Sequence, residues 1–443
     1  MTSTQIEIAA QLIEVAKAAG AENADALVIR SESTYVGTAE RALEEAEGAE
    51  SIDLGLRVLI GQRQACVASS NTDPETLKEM AARAVAIAKE APEDPFCGLG
   101  EAPGFELPDL DLTDASPEPS PAELEALALE AEAAALDVAG VSQVEQASAS
   151  TGSTEIAMVA SNGFAGSYAR TSRSVSVSAI AGEGLGRERD WASESRRHRA
   201  DVPPAAEIGA LAGERAVARL APRKPPAGQV PVLYDRRVAS SLIGHVLSAI
   251  NGTSIARGSS WLLEAMQTEI LPKGFDVIEE PRLVRGPSSR PFDAEGIATR
   301  RRALVQDGVL ESWVLDHATA RKLGLETTGN ARRGTGGPPS PGLTNVIVEN
   351  GIQTPADLIR EMGTGLIVTS MIGSSINPTT GAYSRGASGF WVEGGEIAYP
   401  VNEVTVAGAL PEMIKTLIRA NDREPHRGFS VPALLVDGVT VGA

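Results

Sequence analysis

The amino-acid sequence predicts an α+β fold, with an N-terminal α/β domain at residues 1–225 and a β-rich C-terminal domain with a few helices at residues 226–443. Helix and strand patterns run partly in separate blocks, which favours α+β over a doubly wound parallel sheet. The 443 residues exceed the roughly 250–300 at which a single core stops growing. Proline-rich residues 221–229 resist both helix and sheet, and therefore mark the boundary.

Four helices are predicted in the N-terminal domain. Apolar residues repeat at helical spacing over residues 6–16, and Asp73 followed by Pro74 caps the start of a second helix. Ser120 and Glu123 form a capping box that opens a third helix, to about residue 138. A fourth runs over residues 203–220. Residues 91–121, rich in Pro, Gly and acidic side chains, connect the second and third helices on the surface.

Strands are predicted wherever apolar residues alternate between turn signals. In the N-terminal domain, residues 24–30 and 51–69 have this character, and Asn162-Gly163 signals a hairpin before an alternating stretch near residue 175. Beyond the boundary the chain begins with a strand at 230–233 and a helix at 236–250. The remainder is mostly β, with turns at residues 307–308 and 394–395.

Charge and composition exclude several classes of function. The chain has 59 acidic and 39 basic residues, whereas a nucleic-acid binder needs a basic surface, so we expect no nucleic-acid partner. The densest basic runs, at residues 196–199 and 300–302, are interpreted as solvated strand edges. No run approaches the ~18–20 apolar residues of a membrane span. The start of the chain is typical of an amphipathic helix, and the two cysteines, Cys66 and Cys97, suit a reducing cytoplasm, so a cytoplasmic protein is expected.

A search for catalytic motifs finds none. The sequence has four histidines, none within a helical turn of another, and each is interpreted as a surface or lightly packed residue: His198, His245, His317 and His426. No serine has glycine at both −2 and +2, as a nucleophile elbow requires. Residues 182–186 are interpreted as a turn and residues 334–342 as a mobile loop, either a lid or an interface loop. A metal site made of carboxylates alone stays open.

Several ordered blocks in the second half carry a resemblance. They are PFDAEGIATR at 291–300, LVQDGVL at 304–310, ARKLG at 320–324, TGNA at 328–331, GASGFWVEGGEI at 386–397 and YPV at 399–401. Together they resemble the TldD/PmbA family, once called modulators of DNA gyrase, and within it the PmbA (TldE) branch. The likeness covers essentially the whole chain.

The resemblance implies where a metal would be bound in the family. In the TldD branch, a helix with H-E-x-x-x-H and a cysteine near the C-terminus form the metal site, and the glutamate is the general base. In this sequence those helix positions fall on Ile243, Gly244 and Ser248, and residues 421–443 contain no cysteine. His245 lies one position beyond the glutamate position. We therefore expect no catalytic residue, no metal ligand and no cofactor in this chain, with zinc only in a TldD-type partner.

The predicted function is a non-catalytic PmbA/TldE-type subunit of a TldD/TldE-like cytoplasmic metallopeptidase. It would form a heterodimer with the TldD-type subunit, shape the chamber and bind extended or unfolded peptide; a homodimer of the isolated chain stays open. Candidates for peptide or partner contact are Arg300, Asn330, Ser384 and Trp391. Two alternatives are a regulator of DNA gyrase or of a toxin–antitoxin type partner, and a peptidase in its own right with an unrecognised site.

Overall fold

The computed structural model describes residues 4–101 and 104–442. The helices are α1 Thr4–Ala19, α2 Pro74–Glu90, α3 Pro121–Leu136, α4 Ala205–Ala218, α5 Arg236–Ala249, α6 Gly252–Ala256, α7 His317–Leu323, α8 Pro355–Met362 and α9 Leu410–Met413. The strands of the first half are β1 Asn23–Ala39, β2 Ala42–Ile60, β3 Arg63–Ser69, β4 Val141–Ala160, β5 Ala165–Ala181, β6 Glu188–Arg196 and β7 Gly228–Tyr234.

Shorter strands alternate with long ones in the second half. They are β8 Val277–Glu279, β9 Arg302–Gln306, β10 Val309–Leu310, β11 Ala331–Arg332, β12 Ser340–Pro341, β13 Val346–Val348, β14 Gly365–Ile376, β15 Ala382–Glu393, β16 Glu396–Ala409, β17 Ile418–Arg419, β18 Phe429–Ser430 and β19 Leu434–Gly442. The α+β class predicted from the sequence is confirmed.

One antiparallel sheet, ordered β3-β2-β1-β4-β5-β6, organises the N-terminal half. Side chains alternate between the faces of a strand. On β1, Ala26, Val28 and Val36 contribute to the clusters beneath α1–α2 and α3–α4, so the four helices cover one face. Leu27 lies on the other face with Phe292, which comes from the C-terminal half. The central part of the sheet is therefore buried between its own helices and the C-terminal half.

The β1–β2 hairpin is much longer than the sequence predicted. Strand β1 continues to Ala39 and β2 begins at Ala42, although only residues 24–30 and 51 onward were expected to be extended. Residues 42–51 of β2 are exposed, and β3 pairs with β2 only over residues 54–60. The outer half of β2 therefore presents an open strand edge among the described residues.

The C-terminal half contains a closed set of strands. Strands β16, β15, β14, β7 and β19 follow one another in one sheet, and β19 pairs back with β16. A second sheet has the order β10-β9-β8-β13-β18. Helix α5 packs into the largest hydrophobic cluster, together with Tyr234 and Trp391 from the closed strands. No helix in the described ranges is both long enough and apolar enough to cross a membrane.

The two halves are joined by a buried ion-pair triad. Asp25 of β1 contacts Arg57 of β2 and also Arg333, which follows β11, with each atom pair 2.5 Å apart and all three side chains at most 3% exposed. A Cβ at Gly55 would overlap the backbone of Thr335. The loop at residues 334–342 was predicted to be either a lid or an interface loop. In the structure it lies at the interface between the two halves, with Thr335 against Gly55 of β2.

The interpretation of the two basic runs as solvated edges is wrong for two arginines of the first run and one of the second. Arg196 is only 13% exposed and pairs with Glu194 of the same strand. Arg197 is buried and donates to the carbonyl oxygens of Thr171 and Gly286. Arg302 is only 13% exposed and pairs with Glu279. The partners of Arg197 and Arg302 are far away in the sequence, so a charge run alone did not reveal the burial of these two side chains.

Candidate functional site

Helix α5 contains the positions onto which the resemblance in the sequence places the metal motif of the TldD branch. The Asp235 side chain accepts a hydrogen bond from the backbone N–H of Arg237 and so caps the helix. Its apolar face, which includes Leu242 and Val246, is buried in the C-terminal core. The opposite face is partly open and carries small polar residues and one histidine: Ser240, Ser241, Gly244, His245 and Ser248.

His245 packs against an aromatic ring, and one of its two ring nitrogens lacks a hydrogen bond. Its ring meets Tyr383 edge to face, with the centroids 5.7 Å apart, and its Nε2 is buried without a hydrogen bond. Burial lowers the pKa of His245 below its usual value, and the positive charge of Arg385 lowers it further. The imidazole is therefore held in its neutral form.

A cavity of about 270 Å³ lies beside this histidine. It is lined by uncharged side chains, including Ser248, Ser254, Ser259, Trp261 and Ser374 besides His245. None of the residues lining the cavity is a cysteine, an aspartate or a glutamate. One imidazole and several hydroxyls do not make a zinc site, which takes three or four His, Cys or carboxylate ligands. The cavity can accept hydrogen-bonding groups such as those of a peptide.

The described residues contain one cluster with metal-ligand chemistry, at the other end of α5. Ligand atoms of Glu194, Glu424 and His426 all lie within 4.8 Å of one another. Sequence reasoning missed this cluster because more than 200 residues separate Glu194 from the other two members, and His426 was interpreted as a surface or lightly packed residue. A carboxylate pair with a nearby histidine can hold a divalent cation when its oxygens are free.

The oxygens of this cluster are engaged by arginines instead. Arg196 and Arg427 contact Glu194 at 2.6 and 3.0 Å, and Arg427 and Arg236 contact Glu424 at 2.8 and 3.3 Å. Burial acts to raise the pKa of Glu194, but His426 and the two arginines outweigh it and lower the pKa to about 2. The cluster is therefore an ion-pair network that ties β6 to the segment before β18.

Comparison with known proteins gives matches along most of the chain. Three family models match in order: "PmbA/TldA metallopeptidase domain 1" at residues 24–88, the "central domain" at 114–220 and the "C-terminal domain" at 227–443. A protein called Metalloprotease PmbA, from Escherichia coli O157:H7, is 35% identical over 92% of this chain and 88% of its own length. This chain belongs to the PmbA/TldD metallopeptidase family.

Other PmbA/TldD relatives agree with this assignment. A Metalloprotease PmbA homolog from Haemophilus influenzae is 34% identical over 97% of this chain and 94% of its own length. A crystal structure from Bacteroides thetaiotaomicron, described as a modulator of DNA gyrase, has a TM-score of 0.92 at 26% identity, covering 100% of this chain and 99% of that one. The resemblance predicted from the sequence blocks is confirmed.

The positions assigned to the PmbA/TldD metal motif from the sequence do not form a common surface. Ile243 is 1% exposed and belongs to the core. A Cβ added at Gly244 would meet open space. Ser248 is exposed, and its Oγ donates a hydrogen bond to the carbonyl oxygen of Gly244 at 2.9 Å. A side chain at position 243 points into the core, whereas position 248 is exposed, so the two side chains cannot bind the same metal ion.

A register three residues earlier fits the helix better. The same spacing then falls on Ser240, Ser241 and His245, which all lie on the partly open face. The Ser241 hydroxyl donates to the carbonyl oxygen of Val238 at 2.7 Å. In this earlier register, His245 is the only one of the three residues whose side chain is a usual zinc ligand. In either register the glutamate that would act as general base is missing.

The four predicted contact residues differ in accessibility. Arg300 is exposed and Ser384 is half-buried. Asn330 is 1% exposed and donates from Nδ2 to both carboxylate oxygens of a buried glutamate, Glu279, at 2.9 Å. Trp391 is 2% exposed. The two buried side chains support the fold, so direct contact with peptide or partner stays a prediction for Arg300 and Ser384.

Proposed function

We propose that this PmbA/TldD family member is a non-catalytic subunit of a cytoplasmic metallopeptidase. In this proposal it pairs with a TldD-type subunit that holds the zinc, and it helps to shape the chamber that receives peptide. The observation that carries the proposal is the partly open face of α5, where Ser240, Ser241 and His245 provide one imidazole and no carboxylate. A zinc-activated water needs three protein ligands and a base, which these side chains do not provide.

The open edge of β2 supports peptide binding. Over residues 42–53 this strand pairs with β1 on one side, and no described residue pairs with it on the other. An extended peptide can add to such an edge by main-chain hydrogen bonds, which are independent of peptide sequence. The acidic side chains along it, including Glu44 and Glu47, favour peptides with basic residues.

An exposed apolar residue beside the His245 cavity supports a protein partner. Ile372 is 78% exposed on β14, close in sequence to Ser374 and Ile376, which line that cavity. Covering such a side chain on association is favourable because it removes apolar surface from water. A TldD-type subunit bound here would enclose the cavity between the two chains.

A peptidase acting alone is the second candidate, and the cluster of Glu194, Glu424 and His426 is the observation in its favour. A metal bound there would have to displace arginines from both carboxylates, which argues against it. The third reading, a modulator of DNA gyrase, rests on the description of the similar crystal structure. The acidic charge of this chain would suit a basic protein surface.

The test is to mix this chain with the TldD-type subunit of the same organism and measure association and hydrolysis of an unfolded peptide. We expect a stable complex that cleaves the peptide, whereas this chain alone does not. Ile372→Asp should weaken association, while Ile352→Asp, at a site 97% exposed, serves as the matched control and should not. Full activity of the TldD-type subunit alone, or no association at micromolar concentration, would contradict the proposal.

A further inference from the structure

A second cavity, of about 180 Å³, lies between the N-terminal sheet and the C-terminal half. One wall is apolar and comes from β1, β4 and the segment before β9: Leu27, Ile29, Ile156, Met158 and Phe292. The volume is more than tenfold what one water needs. This cavity differs in charge from the His245 cavity, because its polar wall carries charged side chains whereas the His245 cavity is lined by uncharged ones.

Four arginines line this cavity: Arg170, Arg290, Arg332 and Arg333. One carboxylate, Asp293, faces them. The oxygens of Asp293 already accept hydrogen bonds from the backbone N–H groups of Glu295, Ile297 and Ala331. The residues that line the cavity therefore carry more positive than negative charge, although the chain as a whole has a net charge of −20.

Two of these arginines are buried with unused N–H groups. Arg290 is 9% exposed; its Nη1 donates to the carbonyl oxygen of Ala331 at 2.9 Å, and its Nε has no partner. The Arg333 side chain is 2% exposed; its Nη1 contacts Asp25, while Nε and Nη2 have no partner. Both residues belong to the cavity lining, so their guanidinium groups give its wall a positive charge that an anionic ligand accepting hydrogen bonds would neutralise.

The counter-charges present do not balance the arginines. Asp25 is shared between Arg57 and Arg333, so the triad has two positive charges and one negative charge. The buried Glu295 also acts on Arg57, but burial raises the pKa of Glu295 well above its usual value and so disfavours its negative charge. Arg170 is half-buried on β5, and no described residue forms an ion pair with it. Burial lowers the pKa of Arg290 from its usual value, although Asp293 opposes this effect. An anion in the cavity would complete the charge balance.

We infer that this cavity binds a small organic carboxylate with an apolar substituent, such as an N-acylated hydrophobic amino acid. The carboxylate would be held by Arg170, Arg290 and Arg333, because planar guanidinium groups match a carboxylate with paired hydrogen bonds. The substituent would pack against Met158 and Phe292, since ligand sites combine apolar walls with a few orienting polar groups. The site belongs to this chain alone, so it goes beyond the proposed function and does not depend on a partner.

The experiment is calorimetric titration of the full chain with N-acetyl-leucine, N-acetyl-leucinamide, acetate and inorganic phosphate. We expect N-acetyl-leucine to bind at least tenfold more tightly than the other three, because only it combines a carboxylate with an apolar group. Equal binding of the amide would overturn the assignment of the arginines. Equal binding of phosphate or acetate would overturn the assignment of the apolar wall, and no binding of any of the four compounds would overturn the site.

Variants locate the binding within the molecule. Arg170→Gln removes a guanidinium that has no ion pair to lose, and should weaken N-acetyl-leucine binding about tenfold, as expected for one hydrogen bond to a charged group. Arg301→Gln, at an exposed arginine that pairs with Glu280 outside the cavity, is the matched control and should leave binding unchanged. Circular dichroism checks that both variants fold. Unchanged affinity in Arg170→Gln would overturn the proposal.

Discussion

Arg333 of the C-terminal half and Asp25 of β1 form an ion pair, 2.5 Å between Nη1 and Oδ1, with both side chains almost fully buried. Buried charges without a partner are strongly unfavourable, so this contact requires the two halves to stay together. It also fixes one wall of the arginine-lined cavity. The pair therefore links the stability of the interface to the integrity of a binding site.

Removing the shared carboxylate should destabilise the protein strongly. Asp25→Asn leaves Arg57 and Arg333 buried without a counter-charge, and we expect the free energy of unfolding to fall by about 3–5 kcal/mol. Urea denaturation measures the change. Glu32→Gln, which breaks an exposed pair with Arg30, is the control and should cost no more than about 1 kcal/mol. Equal losses in the two variants would mean that the triad does not hold the halves together.

Two helical glycines should respond in opposite directions to alanine. A Cβ at Gly209 of α4 would overlap the carbonyl oxygen of Ala131 in α3, so Gly209→Ala should cost about 1–3 kcal/mol or more. Gly244 of α5 has open space at the Cβ position, and Gly244→Ala should add roughly 0.5–1 kcal/mol of stability. Thermal unfolding of both variants provides the comparison. A loss at position 244 would indicate a close approach that the structure does not contain.

The register in which the metal motif of the TldD branch is laid over α5 can be tested by substitution. Ile243→His places a polar ring in the core and should cost about 3 kcal/mol or more, whereas Ser240→His on the partly open face should be tolerated. The double variant Ser240→His with Ser241→Glu, which keeps the native His245, should bind zinc more tightly than the unmodified chain. Competition with a chelating dye measures this affinity. If the double variant Ile243→His with Ser248→His binds zinc more tightly than the variant at positions 240 and 241, the register first assigned from the sequence is supported instead.

The stability of the chain should depend on His245 as the pH falls. Because the folded-state pKa of His245 is lowered, the unfolded chain takes up a proton first, near the usual value of about 6.5. Stability is therefore lost as pH falls from that value towards the lower folded-state pKa. His245→Phe should show a smaller drop in unfolding free energy between pH 7 and pH 5. Parallel curves for the two proteins would mean that the pKa of His245 is not lowered in the folded state.

Local signals in the sequence were sufficient to place the four helices of the N-terminal half to within a few residues. The capping box of Ser120 with Glu123 and the Asp73 cap are both present, because caps depend on residues three or fewer apart. The outer half of the β1–β2 hairpin was missed. Its exposed, glutamate-rich strand lacks the apolar alternation that predicts a half-buried strand.

Contacts between distant segments explain the rest of what the sequence did not reveal. Arg197 and Arg302 are buried by elements far along the chain, and a run of basic residues gives no sign of that. Glu194 and Glu424 meet only after the two halves have assembled. The metal-motif positions were aligned without knowing which face of α5 points to the core, and the burial of Ile243 supplies that information.

The metal content of the purified chain shows whether it can act as a peptidase without a metal-bearing partner. The purified chain is dialysed against metal-free buffer with added zinc in one arm, and bound metal is measured by mass spectrometry. We expect far less than one equivalent in both arms, because α5 offers one imidazole and the oxygens of Glu194 and Glu424 are held by arginines. One equivalent of metal that is lost in Glu194→Gln or His245→Ala would contradict the account and identify this chain as a metal-binding subunit.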